Sequence, residues 1–143
     1  MLLKELMAKF IKGHEEFDKG NINAFDEVYA PDVLVQLPPL PDVRGLEAIK
    51  QAAADIRQGF TDIRFEWGEA ISEGNTAAHR FTMRMKHTGV NPMFPVPATG
   101  KEIVLKGCLF YHVKNDKIVE QFEYADLLGL LQQLGIVPEM GQQ

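Results

Sequence analysis

Apolar positions recur at three- and four-residue spacing near the start of the chain. Leu3, Leu6, Met7, Phe10, Ile11, His14 and Phe17 draw one stripe, which predicts a helix from about Leu2 to Lys19, stopped by Gly20. A second short helix, Ile22 to Tyr29, ends at Pro31, and Val33 to Leu37 reads as a strand closed by Pro38, Pro39 and Pro41. Leu46, Ile49, Ala53, Ile56 and Phe60 restore helical spacing in RGLEAIKQAAADIRQGF. After Thr61 the period falls to two. Ile63 to Ile71 alternates, Gly74-Asn75 marks a turn, and Thr76 to His87 alternates again. A proline-rich loop leads to the strand IVLKGCLFYHV, and KIVEQFEYA follows across Lys114-Asn115-Asp116-Lys117 before a leucine-rich helix that Gly135 ends. Helices gathered at the front and long strands joined by hairpins predict an α+β fold, a curved antiparallel sheet wrapped around the first helix as a cone with an internal pocket.

Composition leaves this picture in place and narrows the partners. A chain of 143 residues, 45% hydrophobic and 24% charged, has the size and balance of one globular domain, so residues 1–143 are read as a single unit. Its net charge of −5 comes with no Lys/Arg cluster, which argues against nucleic acid and against an anionic membrane surface as partners. Cys108 is the lone cysteine, so no intrachain disulfide forms and nothing marks an oxidising compartment. Lys4, Glu5 and Lys9 interrupt the N-terminal apolar residues as no secretory signal would, and no stretch reaches the length of a spanning helix. The expected location is cytoplasmic.

Candidate chemistry lies on the strands. Along Asn75 to His87 the odd positions Ala77, His79, Phe81, Met83, Met85 and His87 share one apolar face, and each histidine has a bland reading as a partly buried ring bonded to backbone or water. Metal sites need three or four converging ligands, and no histidine pair with ligand spacing exists, so no metal is implied. In the last hairpin a two-residue turn at Asn115-Asp116 would oppose Lys114 and Lys117 and separate His112 from Asp126. A three-residue loop instead pairs His112 with Glu120, Phe110 with Phe122, Cys108 with Tyr124 and Lys106 with Asp126, gathering His112, Phe110, Phe122, Tyr124 and Asp126 on one face. Asp126, at the joint between strand and helix, is either a helix cap or a base at a pocket mouth. Gly129 stands where a capping box would place Glu. On the other face Ile103, Leu105, Leu109, Tyr111 and Val113 leave the strand apolar on both sides, which predicts a homodimer through the sheet.

The order of elements, with HTG (His87 to Gly89), PVPATGKEI (Pro95 to Ile103) and KIVEQFEYADLLGLLQQLG, resembles the SnoaL-like polyketide cyclases of the nuclear transport factor 2-like superfamily over almost the whole chain. The resemblance implies a cofactor-free enzyme that removes a proton beside a carbonyl and closes a ring by intramolecular aldol condensation. It implies Asp126 as the catalytic acid/base and His112, fourteen residues earlier, as the group that polarises a small hydrophobic carbonyl substrate. Phe122 stands where the family has Trp, and Pro97-Ala98-Thr99 replaces Pro-Pro-Thr. Phe81, Met83, His87, Phe110, Phe122 and Tyr124 are the expected substrate-binding residues. The alternative from another class is a non-catalytic module that binds a small hydrophobic molecule or only dimerises.

Overall fold

The computed structural model describes residues 3–141, with side chains from Glu5 onward. Helix α1 runs Leu3–Asp18; the predicted start at Leu2 and the side chain of Leu3 lie outside the described residues. A 3₁₀ turn, Ile22–Glu27, takes the place of the predicted short helix, and β1 (Tyr29–Gln36) begins four residues earlier than expected. Then come β2 (Val43–Arg44), α2 (Leu46–Gly59), β3 (Phe60–Glu73), β4 (Thr76–His87), β5 (Glu102–Lys114), β6 (Lys117–Ala125) and α3 (Leu127–Gln133). Among the described residues no helix is long and apolar enough to cross a membrane.

The six strands form one sheet in the order β2-β1-β6-β5-β4-β3. The expected antiparallel sheet is corrected to a mixed one, because β1 pairs with β6 in parallel while the remaining pairs are antiparallel. It stays unclosed, with β2 and β3 as edges. The stripe of α1 supplies Leu6, Phe10 and Phe17 to the core, where they meet Tyr29, Phe81, Met83, Met85, Ile103, Leu105, Leu109, Tyr111 and Ile118 from the strands.

Two local devices set the end of the sheet near α3. Strand β6 pairs with β5 from Gly107 onward and Asp126 N donates to Lys106 O at 2.8 Å, which leaves Glu102 to Leu105 as an open edge on that side. The Gln133 side chain of α3 covers it as a strand would: its Oε1 accepts from Val104 N and its Nε2 donates to Val104 O, both at 2.8 Å. Gly107 faces inward, where a Cβ would lie 2.9 Å from the Phe81 ring and 2.6 Å from Tyr124 O, so glycine is what lets β6 and that ring come this close.

The proline-rich loop is tied down at both ends. His87, fully enclosed at the end of β4, accepts from Thr99 N at 3.1 Å through Nδ1, which also lies 3.0 Å from Thr99 Oγ1. Asn91, 1% exposed, donates to Asp55 O and accepts from Met93 N.

Candidate active site

The register of the β5–β6 hairpin decides which side chains can meet a substrate. The turn is the two-residue type: Asn115 and Asp116 both have positive φ, and Lys114 does oppose Lys117. A bulge between His112 and Val113 then shifts the pairing, so that His112 faces Glu120, Phe110 faces Phe122 and Cys108 faces Tyr124. Three of the four expected pairs therefore form, reached through a bulge instead of a longer loop.

The face that these residues share is the outer one, which corrects the expected pocket. Phe110 is 41% exposed and Tyr124 54%, the two rings meeting edge-on at 6.4 Å. His112 lies 5.7 Å from the Phe122 ring and 3.4 Å from a Glu120 oxygen, both members of that pair reaching the surface. Asp126 is exposed, and its Oδ1 accepts from Gly129 N at 2.9 Å as the N-cap of α3. A Cβ on Gly129 would press against this carboxylate, so glycine at this position suits the close approach the cap makes here. His112 and Asp126 are not brought together over an enclosed space. Of the expected binding residues, Phe81 and Met83 point inward among core side chains, and His87 holds the loop.

Alternation carries the opposite set inside. Ile103, Leu105, Leu109 and Tyr111, expected to face a partner subunit, are 0 to 8% exposed within the core. Pairing across the sheet places Leu109 beside Glu123 and Tyr111 beside Gln121, with His79 next to Leu109 and Ala77 next to Tyr111 on the other side. Phe10 of α1 sits over this surface, its ring centroid 5.1 Å from Trp67, 5.8 Å from Tyr111 and 5.9 Å from His79.

The polar groups held here are all perturbed by burial. Tyr29 Oη donates to Gln121 Oε1 at 3.0 Å, and Tyr111 Oη is hydrogen-bonded to His79 Nε2. His79 Nδ1 and His14 Nε2 are enclosed without a partner among the described residues. Burial lowers His79 to about 4, and burial assisted by the Arg57 charge lowers His14 to about 3, so both rings are neutral at neutral pH. Burial also raises the phenols of Tyr29 and Tyr111, which stay protonated. His14 further lines a cavity of about 290 Å³ between α1 and β3, together with Ile11, Phe65 and Trp67.

Glu123 is the carboxylate of this inner face. It is half-buried, on the side of β6 that faces α1 and the core. Burial raises its carboxyl from 4.5 to about 7. Sequence reasoning passed over Glu123, Gln121, Tyr29 and Tyr111. The signal was present in β4, whose odd positions form the apolar face: antiparallel pairing with β5 carries that face through Leu105 and Leu109 to Glu123.

A model of the SnoaL-like polyketide cyclase family matches residues 8–134. No curated protein matches the chain by sequence. Among solved structures, AclR from Streptomyces galilaeus, provisionally named a hydroxylase, superposes with a TM-score of 0.80 at 18% identity, over 99% of this chain and 87% of that one. A protein from Acidithiobacillus ferrooxidans, provisionally named a polyketide cyclase, gives 0.78 at 25% identity over 95% and 99%. IdmH from Streptomyces antibioticus, likewise provisionally a polyketide cyclase, gives 0.75 at 23% identity over 91% and 98%.

Proposed function

The chain belongs to the SnoaL-like polyketide cyclase family, and on that premise we propose that it closes a ring in a hydrophobic, polyketide-like carbonyl compound by an intramolecular aldol step, with Glu123 as the base. The observation that carries this reading is the inward carboxyl of Glu123, raised to about 7 by burial. A base with that value is half ionised at neutral pH and far stronger than an ordinary carboxylate. In the reaction its carboxylate takes a proton from the carbon beside a carbonyl. The enolate carbon then attacks a second carbonyl carbon of the same molecule, and the alkoxide so formed takes the proton back from Glu123. One carbon–carbon bond forms and the base is restored. Leu109, opposite Glu123 on β5, and Phe10, over Tyr111 on the same face, make the surroundings apolar and water-poor, as such a substrate needs. The role expected for Asp126 thus passes to the acid three residues before it, and Asp126 keeps the cap.

The test is exchange of α-protons in a hydrophobic β-keto ester, followed by NMR in deuterated water. Wild type is expected to accelerate exchange, with a rate that rises with pH through about 7 to a plateau, and Glu123→Gln to abolish the acceleration. If Glu123→Gln exchanges as fast as wild type, the protein is a binding module of the same fold and the base assignment is void.

The outer face supports a homodimer as the second part of the proposal. Ile71 pairs with Ala78, Ala78 with Phe110 and Phe110 with Phe122, an apolar row across four strands whose Ile71 is 70% exposed. A second copy stacked on this row would cover it. Sedimentation at micromolar concentration should give twice the 16.1 kDa chain mass, and Phe110→Glu should return the monomer.

A further inference from the structure

Proton abstraction beside a carbonyl leaves negative charge on oxygen, so a base alone makes half a site. We infer that Gln121 is the donor that receives this oxygen, that Tyr29 is the positioning residue that aims it, and that the substrate is therefore a ketone whose acidic carbon and carbonyl oxygen span Glu123 and Gln121. This inference rests on the reading of Glu123 as the base.

Gln121 and Glu123 occupy alternate positions of β6 and so share the inner face, about 6.6 Å apart along the strand. Side chains two residues apart on one strand face are near enough for a single enolate to take both contacts, its carbon at Glu123 and its oxygen at Gln121. The orientation of the amide is set from outside the pair. Tyr29 is 2% exposed, its phenol proton needs an acceptor, and Gln121 Oε1 is the one it finds at 3.0 Å. With the oxygen turned to Tyr29, the NH₂ group of Gln121 points elsewhere. That group makes no hydrogen bond among the described residues, which leaves its N–H groups for a bound oxygen. Burial is the main cause of the raised Tyr29 phenol, and the Glu123 charge adds to it.

The other polar groups of the inner face do not compete for this role. Tyr111 is wholly enclosed and bonded to His79, and His79 is 3% exposed behind the Phe10 and Trp67 rings. His14 stands one aromatic layer farther off, against Phe10, Phe25 and Phe65. An amide donor also suits the chemistry. It stabilises an enolate oxygen without surrendering a proton, so the carbon stays nucleophilic for ring closure.

The experiment uses two readouts on the same variants. In the exchange assay Gln121→Leu should lower kcat about a hundredfold or more with KM little changed, and Tyr29→Phe should lower it about tenfold through a misaimed amide. The second readout removes the base: in a Glu123→Gln background, bound 2-naphthol should ionise more readily than in water, its naphtholate emission reporting the oxygen anion held by Gln121. Adding Gln121→Leu should cut that ionised fraction about tenfold at fixed pH. Where Gln121→Leu fails to fold because Tyr29 is left without an acceptor, the double variant Tyr29→Phe/Gln121→Leu replaces both partners by apolar groups and carries the same test. Loss of exchange in Glu123→Gln alongside wild-type exchange and naphthol ionisation without Gln121 overturns the donor and leaves the base standing. Exchange independent of Glu123 overturns the base reading itself.

Discussion

On the inner face of the β5–β6 hairpin, Tyr111 lies opposite Gln121 and Leu109 opposite Glu123; on the outer face, Phe110 lies opposite Phe122 and His112 opposite Glu120. The two faces carry similar inventories, an aromatic row with an acid beside it, separated by the thickness of one backbone. Inside, the acid is raised to about 7 and the neighbouring His79 lowered to about 4, because neither charge can be solvated there. Outside, His112 and Glu120 form a pair with side chains 40% and 42% exposed, where water screens the attraction and the net contribution is about 0.5 kcal/mol. Residue type proposes chemistry, and the face of the strand decides whether it is available.

The two faces differ most in their response to pH. His14 and His79 are held below 6.5, so the unfolded chain binds more protons than the folded one under that value, and stability falls as pH drops from 6.5 toward about 3 and about 4. Glu123 works in the opposite sense: held above 4.5, it keeps in the fold a proton that the unfolded chain has released, so its contribution falls as pH rises from 4.5 to about 7. Two histidines outweigh one glutamate below 6.5, and the glutamate acts alone just above it. Chemical unfolding across the pH range should therefore show greatest stability near pH 6.5, with a loss on the order of several kcal/mol toward acid. Glu123→Gln should remove the alkaline decline and gain up to about 3 kcal/mol at pH 8, a stabilisation paired with lost exchange activity. A stability profile that is flat from pH 4 to 8 would show these groups to be solvated and the inner face to be ordinary surface.

Smaller effects sharpen the contrast. Tyr111→Phe leaves His79 Nε2 enclosed without its partner and should cost about 1 to 3 kcal/mol. His112→Ala, one position along on the other face, should cost within about 0.5 kcal/mol by the same denaturation measurement. Equal costs would mean that the two faces are not distinguished as the exposures indicate.

Local signals made most of the elements legible. The bounds of β4 and β6 and the stripe of α1 follow from periodicity, which depends only on neighbours along the chain. What alternation does not carry is the sign of a face when both faces are apolar, and β5 is such a strand: Phe110 and Val104 on one side, Leu109 and Leu105 on the other. Pattern alone therefore does not tell that Phe110, His112, Phe122 and Tyr124 stand on the outer face. The two-residue turn disfavoured by its lysines forms because Asn115 and Asp116 tolerate positive φ, and the bulge after it restores the favoured pairs. The parallel pairing of β1 with β6 joins segments some ninety residues apart, Tyr29 to Ile118, and no local pattern encodes it. Two-residue β2 is too short to have a period.

The smallest expected effect concerns Asp126, the residue that stands three positions beyond Glu123 and on the other side of the comparison. Its carboxylate accepts from Gly129 N at the start of α3, whose Leu130 and Leu134 sides are buried against the core. Replacing it by alanine removes that acceptor and should cost about 1 kcal/mol, because the first turn of a helix has no partner of its own for this N–H. Asparagine offers an oxygen at the same place, and so Asp126→Asn should change stability by no more than a few tenths of a kcal/mol. A helix of seven residues adds little dipole for the lost charge to complement. Proton exchange on a β-keto ester should then be the same for Asp126→Asn as for wild type, while Glu123→Gln, an equally conservative change of acid to amide, abolishes it. If the ranking is reversed, with exchange lost at Asp126 and kept at Glu123, the outer face holds the base and the inner carboxylate is only a buried acid.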